Sequence, residues 1–218
     1  VVMLSKHGRK KGGANMKRGS VLKSIFSFLV MVPLMLGTTV IAAELRVPAD
    51  YTRIQDAIDA AVPGVDVVVV ADGTYSGNLL VQKAITIKSE TGAENCVIDC
   101  VNQSRGVAFV GPFASGAVLS GFTIKNGTGN GYGNWPGFGG AILFQDNACA
   151  TISECVISGN TAQYGGAIAC IQSSPTINRC LIEYNSAMAG GGGVLFYDSS
   201  SPAVMRSIIR NNRTDQFG

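Results

Sequence analysis

The 218-residue chain has little charge and almost no histidine. Charged residues make up 14% of the sequence, whereas about 25% is usual for globular proteins. The only histidine is His7, and it lies in a segment that we expect to be removed from the mature protein. A mature chain without histidine excludes catalytic triads with a histidine base and zinc sites built on histidine.

An apolar run long enough to cross a membrane is also missing. The run Ile25–Leu36 has twelve residues and is interrupted by Pro33, whereas a transmembrane helix needs about 20. A basic stretch precedes this run, and small residues follow it up to Ala42 and Ala43. This order is typical of a secretory signal peptide with cleavage after Ala42 or Ala43.

The signal peptide sets the predicted organisation of the chain. Residues 1–15 would be an upstream extension of the reading frame, and residues 16–43 the signal peptide. Residues 44–65 would form an N-terminal cap region, and residues 66–218 the main domain. We therefore expect a secreted or cell-surface protein without a membrane span in its mature chain.

Positive charge is concentrated in the leader, although the formal net charge is +3. The basic residues before position 24 are Lys6, Arg9, Lys10, Lys11, Lys17, Arg18 and Lys23. Without them the chain is mildly acidic, which argues against a nucleic-acid partner.

The cap region contains one predicted helix of about ten residues. Apolar side chains recur at helical spacing at Ile54, Ala57, Ile58 and Ala61. Thr52 is placed to cap the start of this helix, and Pro63 ends it. The valine-rich segment Asp66–Val70 then predicts a buried strand.

Glycine is abundant, and it marks an internal repeat. Gly139–Ile142 recurs as Gly165–Ile168 and again as Gly191–Val194, with a spacing of 26 residues each time. A second repeated element lies downstream of each copy, at Thr151–Asn160, Thr176–Asn185 and Val204–Asn212. A period of about 26 residues without helix is typical of a coil of three short strands in a parallel β-solenoid, with coils stacked about 4.8 Å apart. Leucine-rich and propeller repeats have other patterns.

Stacked coils align equivalent residues in columns. One column expected to point inward contains Ile98, Ile124, Ile157, Ile182 and Ile209. A second inward column, two residues earlier, contains Cys96, Phe122, Cys155, Cys180 and Ser207. The residues between them should form an apolar outward stripe of Val97, Thr123, Val156, Leu181 and Ile208. Asn160, Asn185 and Asn212 are expected at a tight bend, with left-handed backbone angles and side-chain amides hydrogen-bonded along the column.

The six cysteines would enter an oxidising compartment after export, where disulfides form. Cys155 and Cys180 share a position in neighbouring coils, so their Cα atoms should be within disulfide range. Their side chains should nevertheless point in parallel, whereas a disulfide needs the sulfurs to turn toward each other. We therefore predict that Cys155 and Cys180 are buried free thiols, and that Cys96 is unpaired as well.

Residues 46–218 resemble the pectin-lyase-like superfamily of right-handed parallel β-helices. The Gly-Gly-Ala-Ile and Ile-x-x-Asn pairs resemble the repeats of the polymorphic outer-membrane proteins, a family of autotransported surface proteins. The resemblance to the superfamily rests on the helix-then-strand opening at Tyr51–Asn78 and on Leu119–Gly127. It implies an all-β fold, a right-handed parallel β-helix of three-strand coils with a short N-terminal capping α-helix. The superfamily hosts lyases, hydrolases, esterases and adhesins. Because the motifs of its lyases, polygalacturonases and esterases are missing here, no catalytic residue is carried over.

Two aspartates are a weak catalytic candidate. Asp146 and Asp198 align with Gln172 in one column, which would place the two carboxylates two coils, or about 9.6 Å, apart. Inverting glycosidases hold their carboxylates about 6.5–9.5 Å apart, but aspartate is also ordinary at turns. Another column, expected to be a solvated ladder on the outer face, contains Glu154, Arg179 and Arg206.

An aromatic insertion between Gly127 and Phe138 is the candidate binding site. It carries Tyr132, Trp135 and Phe138 on a glycine-rich loop, and exposed rings on such loops suit stacking on sugars. The alternative is that Trp135 and Phe138 cover an adjacent sheet.

Two functions fit these observations. The first is a non-catalytic surface or adhesin-type module that contacts polysaccharide, with no cofactor and no metal. The second is a polysaccharide lyase or glycoside hydrolase with its active site partly beyond Gly218, since the chain ends inside a repeat and is expected to be a fragment.

Overall fold

The computed structural model describes residues 41–216. The predicted upstream extension at residues 1–15 and the signal-peptide residues 16–40 lie outside the described residues. The described part contains one α-helix, α1 (Ile54–Ala60), a 3-10 turn at Pro112–Ala114, and 21 β-strands. The first strands are β1 (Glu44–Val47), β2 (Val67–Val70), β3 (Gly73–Ser76), β4 (Leu79–Val81), β5 (Thr86–Ser89), β6 (Cys96–Asp99), β7 (Val107–Val110), β8 (Val118–Ser120), β9 (Thr123–Lys125) and β10 (Ile142–Gln145). The later strands are β11 (Thr151–Ser153), β12 (Val156–Ser158), β13 (Thr161–Tyr164), β14 (Ile168–Ile171), β15 (Thr176–Asn178), β16 (Leu181–Glu183), β17 (Ser186–Gly190), β18 (Val194–Tyr197), β19 (Ala203–Met205), β20 (Ile208–Arg210) and β21 (Arg213–Thr214).

The strands stack into long parallel sheets, one strand from each coil. Sheet A has the order β1-β2-β5-β8-β11-β15-β19, and sheet B has the order β3-β6-β9-β12-β16-β20. Sheet C has the order β4-β7-β10-β14-β18, and a fourth sheet contains β13-β17-β21. Each strand pairs in parallel with the equivalent strand one coil away, as in β10 with β14 and β12 with β16. This topology confirms the predicted parallel β-helix.

The predicted isoleucine column forms the core behind sheet B. Ile157 lies in register with Ile124 on one side and with Ile182 on the other. These side chains and Ile98 are fully buried, whereas Ile209 in the last described coil is 46% exposed. The intervening Val156 and Leu181 are only half-buried and face outward. Alternation of strand side chains therefore runs as predicted.

The asparagine column forms a buried ladder, but not with the predicted backbone. The Nδ2 group of Asn160 donates to Oδ1 of Asn185 at 2.9 Å, and Asn185 donates to Asn212 at the same distance. The predicted left-handed angles were wrong, because the positive φ lies one residue earlier, as at Gly159 (66°) and Tyr184 (55°). The bend is made at that preceding residue, so the asparagine side chain turns inward and reaches the backbone carbonyls of the neighbouring coil.

The cap helix is shorter than predicted. It has seven residues, begins after Arg53 and has no side-chain cap, so the predicted length and the predicted role of Thr52 were wrong. The helix ends because Ala61 adopts an extended backbone, two residues before Pro63. Its buried face includes Ile54 and Ile58, as the apolar spacing predicted.

All six cysteines of the described residues are free thiols. Cys155 and Cys180 are buried at 1% and 3% exposure, which agrees with their prediction as packing residues. The thiol of Cys155 contacts the carbonyl oxygen of Ser153 at 3.2 Å. Cys149 is the exposed member of the set.

Candidate functional site

A buried arginine holds the aromatic loop in place. Arg105, just before β7, is fully buried beneath the insertion. Its guanidinium donates hydrogen bonds to backbone carbonyls on both sides of the loop. These acceptors are Gly129 (2.5 Å), Trp135 (2.9 Å), Phe138 (2.7 Å), Gly139 (3.4 Å) and Tyr132.

This arginine is a cation without a carboxylate partner among residues 41–216. Burial lowers the pKa of Arg105 to about 10, so the side chain remains protonated at neutral pH. A buried charge is costly unless its donors are satisfied, and the loop carbonyls supply that satisfaction. Arg105 and the loop therefore depend on each other.

Two buried or half-buried amides fix the loop at further points. Oε1 of Gln145, at the end of β10, accepts the backbone N–H of Asn134 at 2.9 Å. Oδ1 of Asn78, next to β4, accepts the N–H of Tyr132 at 3.0 Å. The loop thus lies along the outer face of sheet C.

A glycine permits this close approach. Gly133 has a φ of 99°, which favours glycine. A Cβ atom at this position would meet Leu143 at 2.6 Å and Oε1 of Gln145 at 2.7 Å. A larger residue at position 133 would push the loop away from the sheet.

The aromatic rings form one cluster with partners from later coils. Trp135 packs edge-on against Phe138 with ring centroids 5.2 Å apart. Phe138 stacks on Tyr164 at 4.7 Å with an interplanar angle of 26°. Tyr197, at the end of β18, lies 6.0 Å from Trp135 and is 50% exposed. We call Trp135, Phe138, Tyr164 and Tyr197 the aromatic cluster.

The cluster has two faces with different neighbours. Its inner face covers the outer side of sheet C, where Leu143, Ala169 and Ile171 are fully buried. Trp135 and Phe138 therefore cover an adjacent sheet, which was the alternative to rings that are fully exposed for sugar binding. Its outer side borders a shallow open groove of about 340 Å³, lined by Phe138, Tyr164, Ala189, Gly190, Leu195 and Tyr197.

Tyr132 stands apart from the aromatic cluster. The residue is 45% exposed, and among the described residues its ring stacks on no other aromatic ring. The neighbouring Gly131 borders a polar depression that includes Asn78 and Ser104. The structure thus brings together two of the three predicted sugar-binding residues.

The two candidate acids lie in turns that directly follow strands β10 and β18 of sheet C. Asp146 and Asp198 have φ angles of 57° and 49°, and Gln172 between them has 50°. Oδ2 of Asp146 accepts Nε2 of Gln145 at 2.7 Å, and Oδ2 of Asp198 accepts Nε2 of Gln172 at 2.6 Å. One oxygen of each carboxylate therefore accepts a side-chain amide, and the intervening Gln172 is the donor to Asp198.

The charged column is a solvated ladder, as predicted. Arg179 lies 3.6 Å from Glu154, and both side chains are more than half exposed. An exposed pair of this kind contributes about 0–1 kcal/mol to stability.

Arg105, Tyr164 and Tyr197 were not predicted from the sequence. One signal was available for Tyr164, because it directly precedes the Gly-Gly of its repeat, as Phe138 does. The two residues pair in parallel across neighbouring coils. No comparable signal marked Arg105, since its acceptors are backbone carbonyls.

The family comparison agrees with this geometry. The family described as "Right handed beta helix region" matches residues 64–218. The chain belongs to the right-handed β-helix family. Searches of curated proteins and of solved structures found no match. Membership identifies the scaffold of this β-helix protein, while activity has to be argued from its sites.

No helix formed by residues 41–216 has the length and apolar content of a membrane span. The same residues contain no group of three or more His, Cys, Asp or Glu side chains placed to hold a metal ion.

Proposed function

We propose that this β-helix protein is exported and acts as a non-catalytic surface module that contacts polysaccharide through the aromatic cluster. The observation that carries the proposal is a half-exposed Tyr197 beside the stacked Phe138 and Tyr164, on the rim of an apolar groove. Aromatic rings with one apolar face and a polar tip suit the apolar faces and hydroxyl groups of sugars.

Rigidity supports a binding role for these rings. Trp135 and Phe138 belong to a loop whose carbonyls are held by Arg105, and Tyr197 ends a strand of sheet C. Little side-chain and loop freedom would be lost when a ligand binds. Preorganisation of this kind lowers the entropic cost of association.

The environment of the acids supports binding over hydrolysis. Each carboxylate of the pair Asp146 and Asp198 already accepts a side-chain amide. Both residues lie in turns that give them a structural role. The aromatic cluster and not this pair is therefore the proposed contact site.

Affinity electrophoresis tests the proposal directly. The exported protein would be run in native gels containing xylan, β-glucan, pectin or alginate, and retardation in at least one polysaccharide is expected. Tyr197→Ala should weaken that binding about tenfold, equivalent to about 1.4 kcal/mol. The matched control is Tyr184→Ala, since Tyr184 is 62% exposed and lies outside the aromatic cluster.

Two results would contradict the proposal. One is a protein that migrates freely in every polysaccharide gel. The other is equal retardation of the Tyr197→Ala and Tyr184→Ala variants. Tyr132→Ala in the same gels decides whether the predicted third aromatic residue takes part.

A further inference from the structure

A nearly buried carboxylate lies at the N-terminal end of the β-helix. Asp66, immediately before β2, is 8% exposed. Its Oδ1 accepts the backbone N–H of Ala43 at 2.9 Å, and its Oδ2 accepts the N–H of Val62 at 2.8 Å. The side chain therefore joins the start of β1 to the segment that follows α1.

Both backbone groups of Ala43, its N–H and its carbonyl, are hydrogen-bonded. Its carbonyl oxygen accepts the N–H of Val67, the first residue of β2, at 3.0 Å. The preceding Ile41 is 83% exposed, and Ala42 is exposed as well. Within residues 41–216, the hydrogen-bonded fold thus begins at Ala43.

Asp66 has no cationic side chain as a partner among the described residues. Hydrogen bonds from the backbone N–H groups of Val62 and Ala43 lower the pKa of Asp66, so its carboxylate is charged at neutral pH. A positive charge placed on the nitrogen of Ala43 would complete this site.

We infer that export cleaves the chain between Ala42 and Ala43, and that the new α-ammonium group of Ala43 pairs with Asp66. The inference rests on the proposed export. Hydrolysis of this peptide bond consumes one water, leaves a carboxylate on Ala42 and turns the nitrogen of Ala43 into an amine that takes up a proton. The hydrogen bond to Asp66 then becomes charge-assisted, and its distance of 2.9 Å lies within the range of such bonds.

The structure separates the two cleavage positions that the sequence leaves open. Cleavage after Ala43 would remove the donor to Oδ1 of Asp66 and the acceptor of the Val67 N–H. Cleavage after Ala42 keeps both hydrogen bonds. It also places Val40 and not the larger Ile41 three residues before the cleaved bond, and signal peptides favour small residues there.

The cleavage site is tested on the exported protein itself. The full chain would be expressed in a secreting bacterium, and the secreted product analysed by intact mass and N-terminal sequencing. A product that begins with Ala43 is expected. A product that begins with Glu44, or at any other residue, overturns the inference but leaves export intact. A chain retained in the cell with its leader attached contradicts the proposed export as well.

The ion pair is tested by titrating the α-amine of that product. The ordinary pKa of an α-amine is about 7.7–8.0, and pairing with Asp66 should raise it by about one unit. The pKa would be measured from the pH dependence of acylation of the N-terminal peptide, read by mass spectrometry. Asp66→Asn should return the pKa to its ordinary range, whereas Asp59→Asn on α1 should not change it. An unshifted pKa in the parent protein overturns the pairing.

A stability measurement keeps the pairing testable if Asp66→Asn does not fold. Because the pKa of the amine is raised in the folded state, its stabilisation is fully present below about pH 7.7 and is lost as pH rises through the folded pKa. Acetylation of the α-amine keeps the N–H donor and removes its charge, so it should abolish this loss. Other charged groups on β1, α1 and β5 remain in both samples, namely Glu44, Arg46, Asp56, Asp59 and Lys88. Equal pH dependence of the thermal midpoint with and without acetylation would overturn the pairing.

Discussion

Arg105 donates a hydrogen bond to the carbonyl of Phe138 across 33 residues of sequence, at a distance of 2.7 Å. The same nitrogen of this buried cation also donates to the carbonyl of Trp135. Arg105 thus holds the backbone of two residues of the aromatic cluster. The binding surface that we propose is therefore anchored from beneath.

Replacement of Arg105 should destabilise the protein and release the loop. Arg105→Met leaves several carbonyls without a donor, and we expect the free energy of unfolding to fall by about 3 kcal/mol. Urea denaturation measures this change, and limited proteolysis should cut within residues 127–138. Arg179→Met is the control, since its side chain is 55% exposed. Equal stability of the two variants would show that the hydrogen bonds from Arg105 to the loop carbonyls are not needed for stability.

Replacement of the central asparagine of the ladder should destabilise the protein about as much as replacement of Arg105. Asn185 accepts from Asn160 and donates to Asn212 and to the carbonyl of Ile157. Asn185→Ala should cost about 3 kcal/mol, because buried polar groups lose their partners. Gln82→Ala, at an exposed position, should stay within about 0.5 kcal/mol of the parent protein. A cost below 1 kcal/mol at Asn185, on the order of a single ordinary hydrogen bond, would contradict the ladder's importance.

Alkylation of the native protein should occur at one cysteine. Burial raises the pKa of Cys96 and of Cys100 to about 12, so these thiols remain protonated at pH 8 and the reactive thiolate is rare. Burial also shields Cys155, Cys170 and Cys180 from the reagent. Iodoacetamide at pH 8 should therefore modify only the exposed Cys149, as read by intact mass. Unfolding in urea should then expose the remaining thiols. A disulfide-linked peptide of Cys155 and Cys180 would contradict their role as packing thiols.

Asp99 should contribute to loss of stability in acid. A hydrogen bond from the side chain of Asn126, followed by one from the Val101 N–H, lowers the pKa of Asp99. The associated stabilisation is present above the unfolded-state value of about 3.9 and is lost as pH falls through the lower folded-state pKa. Between pH 7 and pH 3, the thermal midpoint of the parent protein should therefore fall more than that of Asp99→Asn. Glu94→Gln is the exposed control and should behave as the parent does.

The fold could be predicted because the 26-residue repeat shows which residues occupy equivalent positions in neighbouring coils. Once the period of 26 was recognised, the burial of Ile157 and Ile182 followed from strand alternation alone. The left-handed backbone of the bend could not be predicted from the asparagines, because it belongs to the residue before each of them. That residue is a glycine in one coil, Gly159, and a tyrosine in the next, Tyr184.

The candidate site was less predictable for a physical reason. The rings of Trp135 and Phe138 were visible in the sequence, but the residue that orders them binds carbonyl oxygens, which every residue possesses. Tyr197 reaches the cluster from two coils further along the chain. Only the folded register places it beside Phe138.

The length of the insertion has a mechanical consequence. In a solenoid each coil touches only its neighbours, so an end coil can unzip while the others remain folded. The loop instead reaches from Asn78 beside β4 to Tyr197 in β18, and so spans all five strands of sheet C. Because the loop connects these coils along the axis of the β-helix, they should unfold cooperatively under force or heat instead of one at a time.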